Sequence, residues 1–157
     1  MSNTNAATTP ALSLQLEWTR ITVLLESFPL DLLLLIGRVS VASVFFKSGL
    51  TKIASWEVAV QLFQQEYMVP VLPPDVAAML AATFELGASS LLMAGIFTRL
   101  ATLPLIGMIL VIEVFVYPDA WVDHLMWFTV LLLVLTRGPG VFSLDAVFGR
   151  LFGWSRK

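Results

Sequence analysis

The chain has 157 residues, of which 58% are hydrophobic and only 13% charged, and its formal net charge is −2. Because soluble domains carry roughly 25% charged residues, this composition excludes an ordinary soluble globular protein. The lack of cysteine excludes disulfides and thiol chemistry, and the lack of a basic stripe argues against nucleic-acid binding. We therefore expect an all-α integral membrane protein.

Residues 1–29 form an N-terminal tail that opens with a polar run and has no Lys or Arg before Arg20. A cleavable signal peptide starts with basic residues, so we expect the first apolar span to remain as an anchor. In residues 12–28, apolar side chains recur every three or four positions, which predicts an amphipathic helix in the membrane interface.

Four apolar stretches are long enough, or nearly so, to cross a bilayer, which takes about 20 residues per helix. They are residues 30–54, 76–97, 100–117 and 120–135. Thr98-Arg99 and Pro118-Asp119 provide two of the connections, and turns this short favour antiparallel neighbours. The sequence therefore predicts an integral membrane four-helix bundle with short interfacial amphipathic helices.

Two more segments, residues 55–68 and 143–154, carry apolar side chains on one helical face. Both are predicted to be short helices that either lie in the interface or pack against the ends of the bundle. Ser55 is placed to cap the first of them, and Pro70 follows its end.

Basic residues concentrate on one side of this topology. The N-terminal tail, the turn at Arg99 and the C-terminal tail hold most of the arginines, whereas the opposite side is rich in Asp and Glu. Lysine and arginine mark the cytoplasmic side, so both termini are expected to be cytoplasmic.

The candidate site residues are ionisable side chains inside the apolar stretches, namely Arg38, Lys52, Glu85, Glu113 and His124. A charge at the bilayer centre costs about 2.5–3.5 kcal/mol on insertion scales, so such residues normally face the bundle interior and find partners. At about 100° per residue, Arg38 and Lys52 share one face of their helix, while Lys47 points the opposite way, towards lipid or a partner subunit.

The predicted hairpins bring Glu85, Glu113 and His124 to a common depth in the membrane. Glu85 and Glu113 are equidistant from Arg99, and Glu113 and His124 are equidistant from the next turn. We expect the two cations to neutralise the two carboxylates around a polar pocket that opens on the outer side. Two alternatives stay open: Arg38 with Glu85 as a purely structural ion pair, and His124 as a hydrated surface residue.

Several short motifs follow one another in a distinctive order: Arg38 and then SGLTK (48–52), Glu85 with Gly87, GIFTR (95–99) and RGPGVFSLD (137–145). With them the chain resembles the DoxX family of small bacterial membrane proteins. The resemblance implies a four-span domain over residues 30–148 in the bacterial inner (cytoplasmic) membrane, followed by a basic tail, residues 149–157. It also implies an association with redox systems, since relatives form part of a thiosulfate:quinone oxidoreductase.

Three functions could use the predicted pocket. It could bind a quinone head group, with His124 and Glu113 exchanging protons; it could belong to an accessory or assembly subunit whose charges are structural; or it could bind or transport a small solute or metal ion. One histidine and no cysteine argue against a tight soft-metal site. We favour an accessory subunit of a quinone-linked oxidoreductase that is not catalytic alone, with membrane lipids and a redox protein or a second copy as partners.

Overall fold

The computed structural model describes residues 10–153, with side chains from Leu14 onwards, and this range is helical without any strand. Its helices are α1 (Pro10–Glu26), α2 (Leu30–Ala54), α3 (Trp56–Leu62), α4 (Pro74–Ala94), α5 (Thr98–Phe115), α6 (Trp121–Arg137) and α7 (Leu144–Leu151). A π-helical turn, Phe63–Tyr67, continues α3, and a 3₁₀ turn, Pro118–Ala120, leads into α6. The ends of both predicted tails, residues 1–9 and 154–157, lie outside the described range.

The chain divides into two compact units, one ending at Leu30 and the other beginning at Asp31. The first contains α1, which agrees with the helix predicted over residues 12–28 to within two residues at each end. Its Trp18 and Leu24 are largely exposed. The location of α1, α3 and α7 in the membrane interface stays a prediction.

Three described helical segments are long and apolar enough to cross a membrane: α4, α5, and α6 together with its preceding 3₁₀ turn. The count rises to four if α1 and α2 are taken as one broken span. The chain is thus a multi-pass membrane protein, and α2 has the predicted bounds.

One core in the second unit is built by α2, α4, α5 and α6 together. Its buried members are Val41, Ala42, Phe45, Ala88, Leu92, Leu105, Ile109, Leu131 and Val134. On α2, Arg38, Phe45 and Gly49 are all buried, as their shared helical face predicts. The helix presents this face to the interior and leaves Lys47 exposed.

Gly49 marks the close approach of α2 and α4. A Cβ atom at this position would lie 2.7 Å from Leu86 Cγ and 3.1 Å from Glu85 Cβ. A larger residue would therefore push the two helices apart, and glycine is what allows the contact. The close approach brings Glu85 next to the side chains of Ser48 and Lys52 on α2.

The connection between α4 and α5 is earlier than predicted. Thr98 and Arg99 belong to α5, and the turn is formed by residues 95–97. Gly95 ends α4 in the left-handed conformation, at φ 72°, and Ile96 N donates to Leu91 O at 3.0 Å, which is the Schellman pattern. The predicted Thr98-Arg99 turn is wrong because a glycine that satisfies the last carbonyls of a helix ends it more effectively than a polar pair.

Asp145 of α7 caps the start of α5. Its carboxylate accepts hydrogen bonds from Phe97 N at 2.8 Å, Thr98 N at 2.9 Å and Thr98 Oγ1 at 2.7 Å. Ser143 in turn caps α7, because its hydroxyl accepts from Ala146 N at 3.2 Å. A side chain from a distant helix thus replaces the missing local cap at Phe97, which has φ 44°.

Candidate functional site

A cavity of about 580 Å³ lies between α2, the π-helical turn, α4, α5 and α6. Most of its wall is apolar or aromatic, including Phe63, Phe84 and Trp127. Its polar groups are few: Ser48, Lys52, Tyr67, Glu85, Tyr117 and His124. A concave, mainly apolar site with a few converging polar groups is the usual form of a small-molecule pocket.

Lys52 and Glu85 form an ion pair in the wall of this cavity. Lys52 Nζ lies 2.8 Å from Glu85 Oε1, and the two side chains are 14% and 5% exposed. Ser48 joins them, since its Oγ lies 3.0 Å from Lys52 Nζ and 3.1 Å from Glu85 Oε1. The SGLTK motif therefore contributes two side chains, one helical turn apart, to a single carboxylate.

The second oxygen of Glu85 is unsatisfied. Glu85 Oε2 is buried and has no hydrogen-bond partner among the described residues. Leaving a buried polar atom unpaired costs free energy, more for a charged group, so proteins rarely tolerate it without a role. Glu85 is one of the residues that line the cavity, so its carboxylate is a group there with hydrogen-bonding capacity left unused.

His124 lines another part of the same cavity and is only 6% exposed. Its Nδ1 is hydrogen-bonded to Glu113 Oε2 across the α5–α6 hairpin. The Trp127 ring packs beside it, with centroids 5.6 Å apart. Glu113 thus fixes the orientation of the imidazole and leaves Nε2 as the nitrogen able to exchange a proton with a ligand.

Aromatic side chains connect the π-helical turn to the α5–α6 turn at one side of the cavity. The Tyr117 hydroxyl donates to Glu66, and the Tyr67 and Tyr117 rings are 5.8 Å apart in an edge-to-face arrangement. The hydrogen bond to Glu66, together with partial burial, raises the pKa of Tyr117 above its ordinary value. Ionisation there would place a second negative charge against the carboxylate.

Arg38 lies apart from the cavity, so the prediction that it pairs with Glu85 is wrong. Its guanidinium donates to Pro139 O at 3.4 Å and to Phe142 O, and the residue is 2% exposed. Fourteen residues separate Arg38 from Lys52, or about 21 Å along a helix. One carboxylate cannot meet both cations at that distance, and Lys52 is the nearer one.

The remaining predicted residues fall into two contacts that share one cavity. Lys52 meets Glu85, and Glu113 meets His124, while Glu113 itself stays behind the imidazole rather than in the wall. Sequence reasoning missed Ser48 as a member of the site. Its position four residues before Lys52 places it on the same helical face and was the signal available.

A metal site receives no support from the described part of the chain. Within it, no group of three or more His, Asp or Glu residues is arranged to hold an ion. The two carboxylates of the site belong to separate pairs, one with a lysine and one with the imidazole.

A comparison with models of protein families gives a match. The family model described as DoxX matches residues 33–118, which is more than half of the chain and includes Arg38, Lys52, Glu85 and Glu113. Neither the curated proteins nor the solved structures contain a significant match.

Proposed function

Because the chain belongs to the DoxX family, we propose that it is an accessory subunit of a redox complex in the bacterial inner membrane and that its cavity binds a quinone head group. The partner is a redox protein, and both termini face the cytoplasm. The proposal is carried by one observation: a buried carboxylate oxygen without a described partner, on a residue that lines a mainly apolar cavity.

The polar groups of the cavity suit both forms of a quinone. A quinone offers two carbonyl acceptors, and the Lys52 ammonium has a third N–H beyond those directed to Ser48 and Glu85. A quinol offers hydroxyl donors, and Glu85 Oε2 is an acceptor. The ring itself fits the aromatic lining, which includes Phe63 and Trp127.

His124 supplies proton exchange in this scheme. Reduction of a quinone to a quinol takes up two electrons and two protons, and imidazole is the side chain best suited to transfer protons near neutral pH. The electrons come from the partner, since a chain with no cysteine and one histidine has no ligand set for an iron–sulfur cluster.

Binding of a short-chain ubiquinone analogue to the purified protein in lipid nanodiscs tests the proposal. Glu85→Gln should weaken binding of the reduced form at least about tenfold, because loss of a charged hydrogen-bonding partner costs about 1.5–3 kcal/mol. His124→Gln should retain binding, because its amide still hydrogen-bonds, but should slow quinone reduction by the intact complex, because an amide cannot exchange protons. Glu57→Gln, at an exposed carboxylate outside the cavity, is the matched control.

Two outcomes would overturn the proposal that the cavity binds a quinone. One is equal binding by the wild type and both cavity variants, and the other is no binding of either redox form. If a stoichiometric partner still copurified with Glu85→Gln, the accessory role would remain and the charges would be structural.

A further inference from the structure

A second cleft, separate from the cavity, lies where α5 begins and α6 and α7 end. Its volume is about 1100 Å³, nearly twice that of the cavity. Three arginines from different helices line it: Arg99 in the first turn of α5, Arg137 at the end of α6 and Arg150 in the last turn of α7. The fold therefore gathers cations that are far apart in the sequence.

None of these arginines has a carboxylate partner among the described residues. The cleft contains one carboxylate, Asp145, but both of its oxygens already accept hydrogen bonds from Phe97 and Thr98. Arg99 is held in place by a hydrogen bond from Nη2 to Thr136 O at 3.4 Å. Three arginines thus line a cleft whose single carboxylate already accepts hydrogen bonds, so the cleft carries an excess of positive charge.

The apolar part of the cleft indicates which kind of anion it takes. Phe97 and Leu100 are 68% and 66% exposed, and Val141 is exposed beside them. Large apolar side chains beside unpaired arginines match a ligand with a charged head and hydrocarbon tails. Guanidinium groups bind phosphate oxygens in a bidentate manner, and basic pockets between membrane helices bind phospholipid head groups.

We propose that this cleft is a specific site for an anionic phospholipid that carries two phosphates. Its size and its three arginines exceed what one phosphodiester needs, and a head group with two phosphates linked by glycerol would engage all three cations. The four acyl chains would then lie along Phe97 and Leu100. This site is independent of the quinone proposal, because it shares none of the residues that line the cavity.

Lipid titration of the full chain in nanodiscs tests the site. The matrix is neutral phosphatidylcholine, to which either a two-phosphate lipid or phosphatidylglycerol is added at equal total charge, and retained lipid is counted by native mass spectrometry. We expect one two-phosphate lipid per chain, retained in preference to phosphatidylglycerol. The double variant Arg137→Gln/Arg150→Gln should bind it about thirtyfold more weakly, since each arginine near a membrane surface contributes about a factor of five.

Neither Arg137 nor Arg150 makes a side-chain hydrogen bond within the described part of the chain, so the melting temperature of this variant should remain close to that of the wild type. Lys47→Gln, at an exposed cation on α2 outside the cleft, is the control and should bind like the wild type. Equal retention of both lipids at equal charge, or an equal loss in the control, would reduce the cleft to general surface charge and overturn the proposal. Tight binding of inorganic pyrophosphate in detergent, without a preference for the lipid, would also overturn it in favour of a soluble anion.

Discussion

The ionisable side chains of the described bundle interior form three separate groups: Arg38, the Lys52–Glu85 pair and the Glu113–His124 pair. Arg38 donates to two backbone carbonyls near one end of the helices and has no partner for its Nε among the described residues, whereas Lys52 and Glu85 neutralise each other in the wall of the cavity. Carbonyl dipoles leave Arg38 with its positive charge in a closed environment. The ion pair uses one carboxylate oxygen and leaves the other without a described partner, so this pair and His124 are the ionisable groups in the wall of the cavity that a ligand can meet.

Removal of Lys52 alone should be strongly destabilising. In Lys52→Met, Glu85 remains buried without its cation, which typically costs about 3–5 kcal/mol, whereas Lys52→Met with Glu85→Leu should recover much of this. Thermal unfolding in detergent measures the difference. The control Lys47→Met changes an exposed lysine on the same helix and should stay within about 0.5 kcal/mol. Similar melting of the single and double variants would show that the pair does not contribute.

The ionisation of the Tyr117 phenol should report on its contact with Glu66. Its pKa is raised by Glu66, so the folded state favours the neutral phenol. The stabilisation is therefore fully present below about pH 10, the ordinary tyrosine value, and is lost as pH rises through the higher folded value. The chain has two tyrosines, so absorbance near tyrosinate wavelengths resolves them.

Tyr117→Phe should abolish the raised ionisation, and Glu66→Gln should move that ionisation to lower pH. Glu57→Gln, an exposed carboxylate on α3, should leave both ionisations unchanged. Identical titrations of the wild type and Glu66→Gln would contradict the contact.

Among the elements, α7 holds the turn between α4 and α5 from outside. Asp145 caps α5, its amide donates to Gly95 O at 2.8 Å, and Ser143 packs where a side chain on Gly95 would lie. The segment before α7 also accepts the hydrogen bonds of Arg38. This short helix therefore fixes the relative positions of α2, α4 and α5 at one end of the core.

Asp145→Ala should destabilise the protein by about 2 kcal/mol, the upper end of the range for a lost helix cap, because three donors lose their acceptor. Asp75→Ala removes a carboxylate from the first turn of α4 without any described side-chain hydrogen bond, so it controls for the helix dipole and should cost at most about 1 kcal/mol. Thermal unfolding of the two variants compares them. Equal losses would mean that charge alone, and not the cap, explains the effect.

The helices were largely predictable because each one is marked by a long apolar run within its own stretch of sequence. The run of 25 residues in α2 and the break at Pro118 were predicted, whereas the break at Gly95 was placed three residues too late. The π-helical turn after α3 was not, since nothing in FQQEY distinguishes it from an ordinary helical turn. The cap on α5 was also hidden, because Asp145 is 47 residues away from Thr98.

Helical geometry alone was enough to predict part of the site. Angle and depth along the chain were enough to bring Glu113 to His124 and to point Glu85 inwards. They failed for Arg38, whose partners are backbone carbonyls of Pro139 and Phe142 and carry no side-chain signature. A glycine-rich break after α6 leaves such carbonyls without helical donors, and this is the clue that a sequence could offer.

In the molecule as a whole, opposite charges mark the opposite ends of the long helices. Arg99, Arg137 and Arg150 line one cleft, whereas Glu66 and Asp119 flank the turns at the other end. The excess of arginine on one side predicts that this end and both termini are cytoplasmic.

Alkaline phosphatase, which is active only outside the cytoplasm, should be inactive when fused after Lys157 and active when fused after the exposed Val71. A fusion after Gly95 tests the intermediate turn and should be inactive. Activity at Lys157 combined with inactivity at Val71 would reverse the orientation and place the cavity towards the cytoplasm.

The hydrogen bonds of Arg38 also set an order of events during synthesis. Its acceptors Pro139 and Phe142 are made 101 and 104 residues later, which at about 5–20 residues per second is roughly 5–20 s of translation. Throughout that interval the first long helix carries an arginine that none of its final partners can satisfy. The ribosome must therefore reach Phe142 before residues 30–54 can settle, and a nascent chain stopped ahead of Pro139 should remain with the insertion machinery.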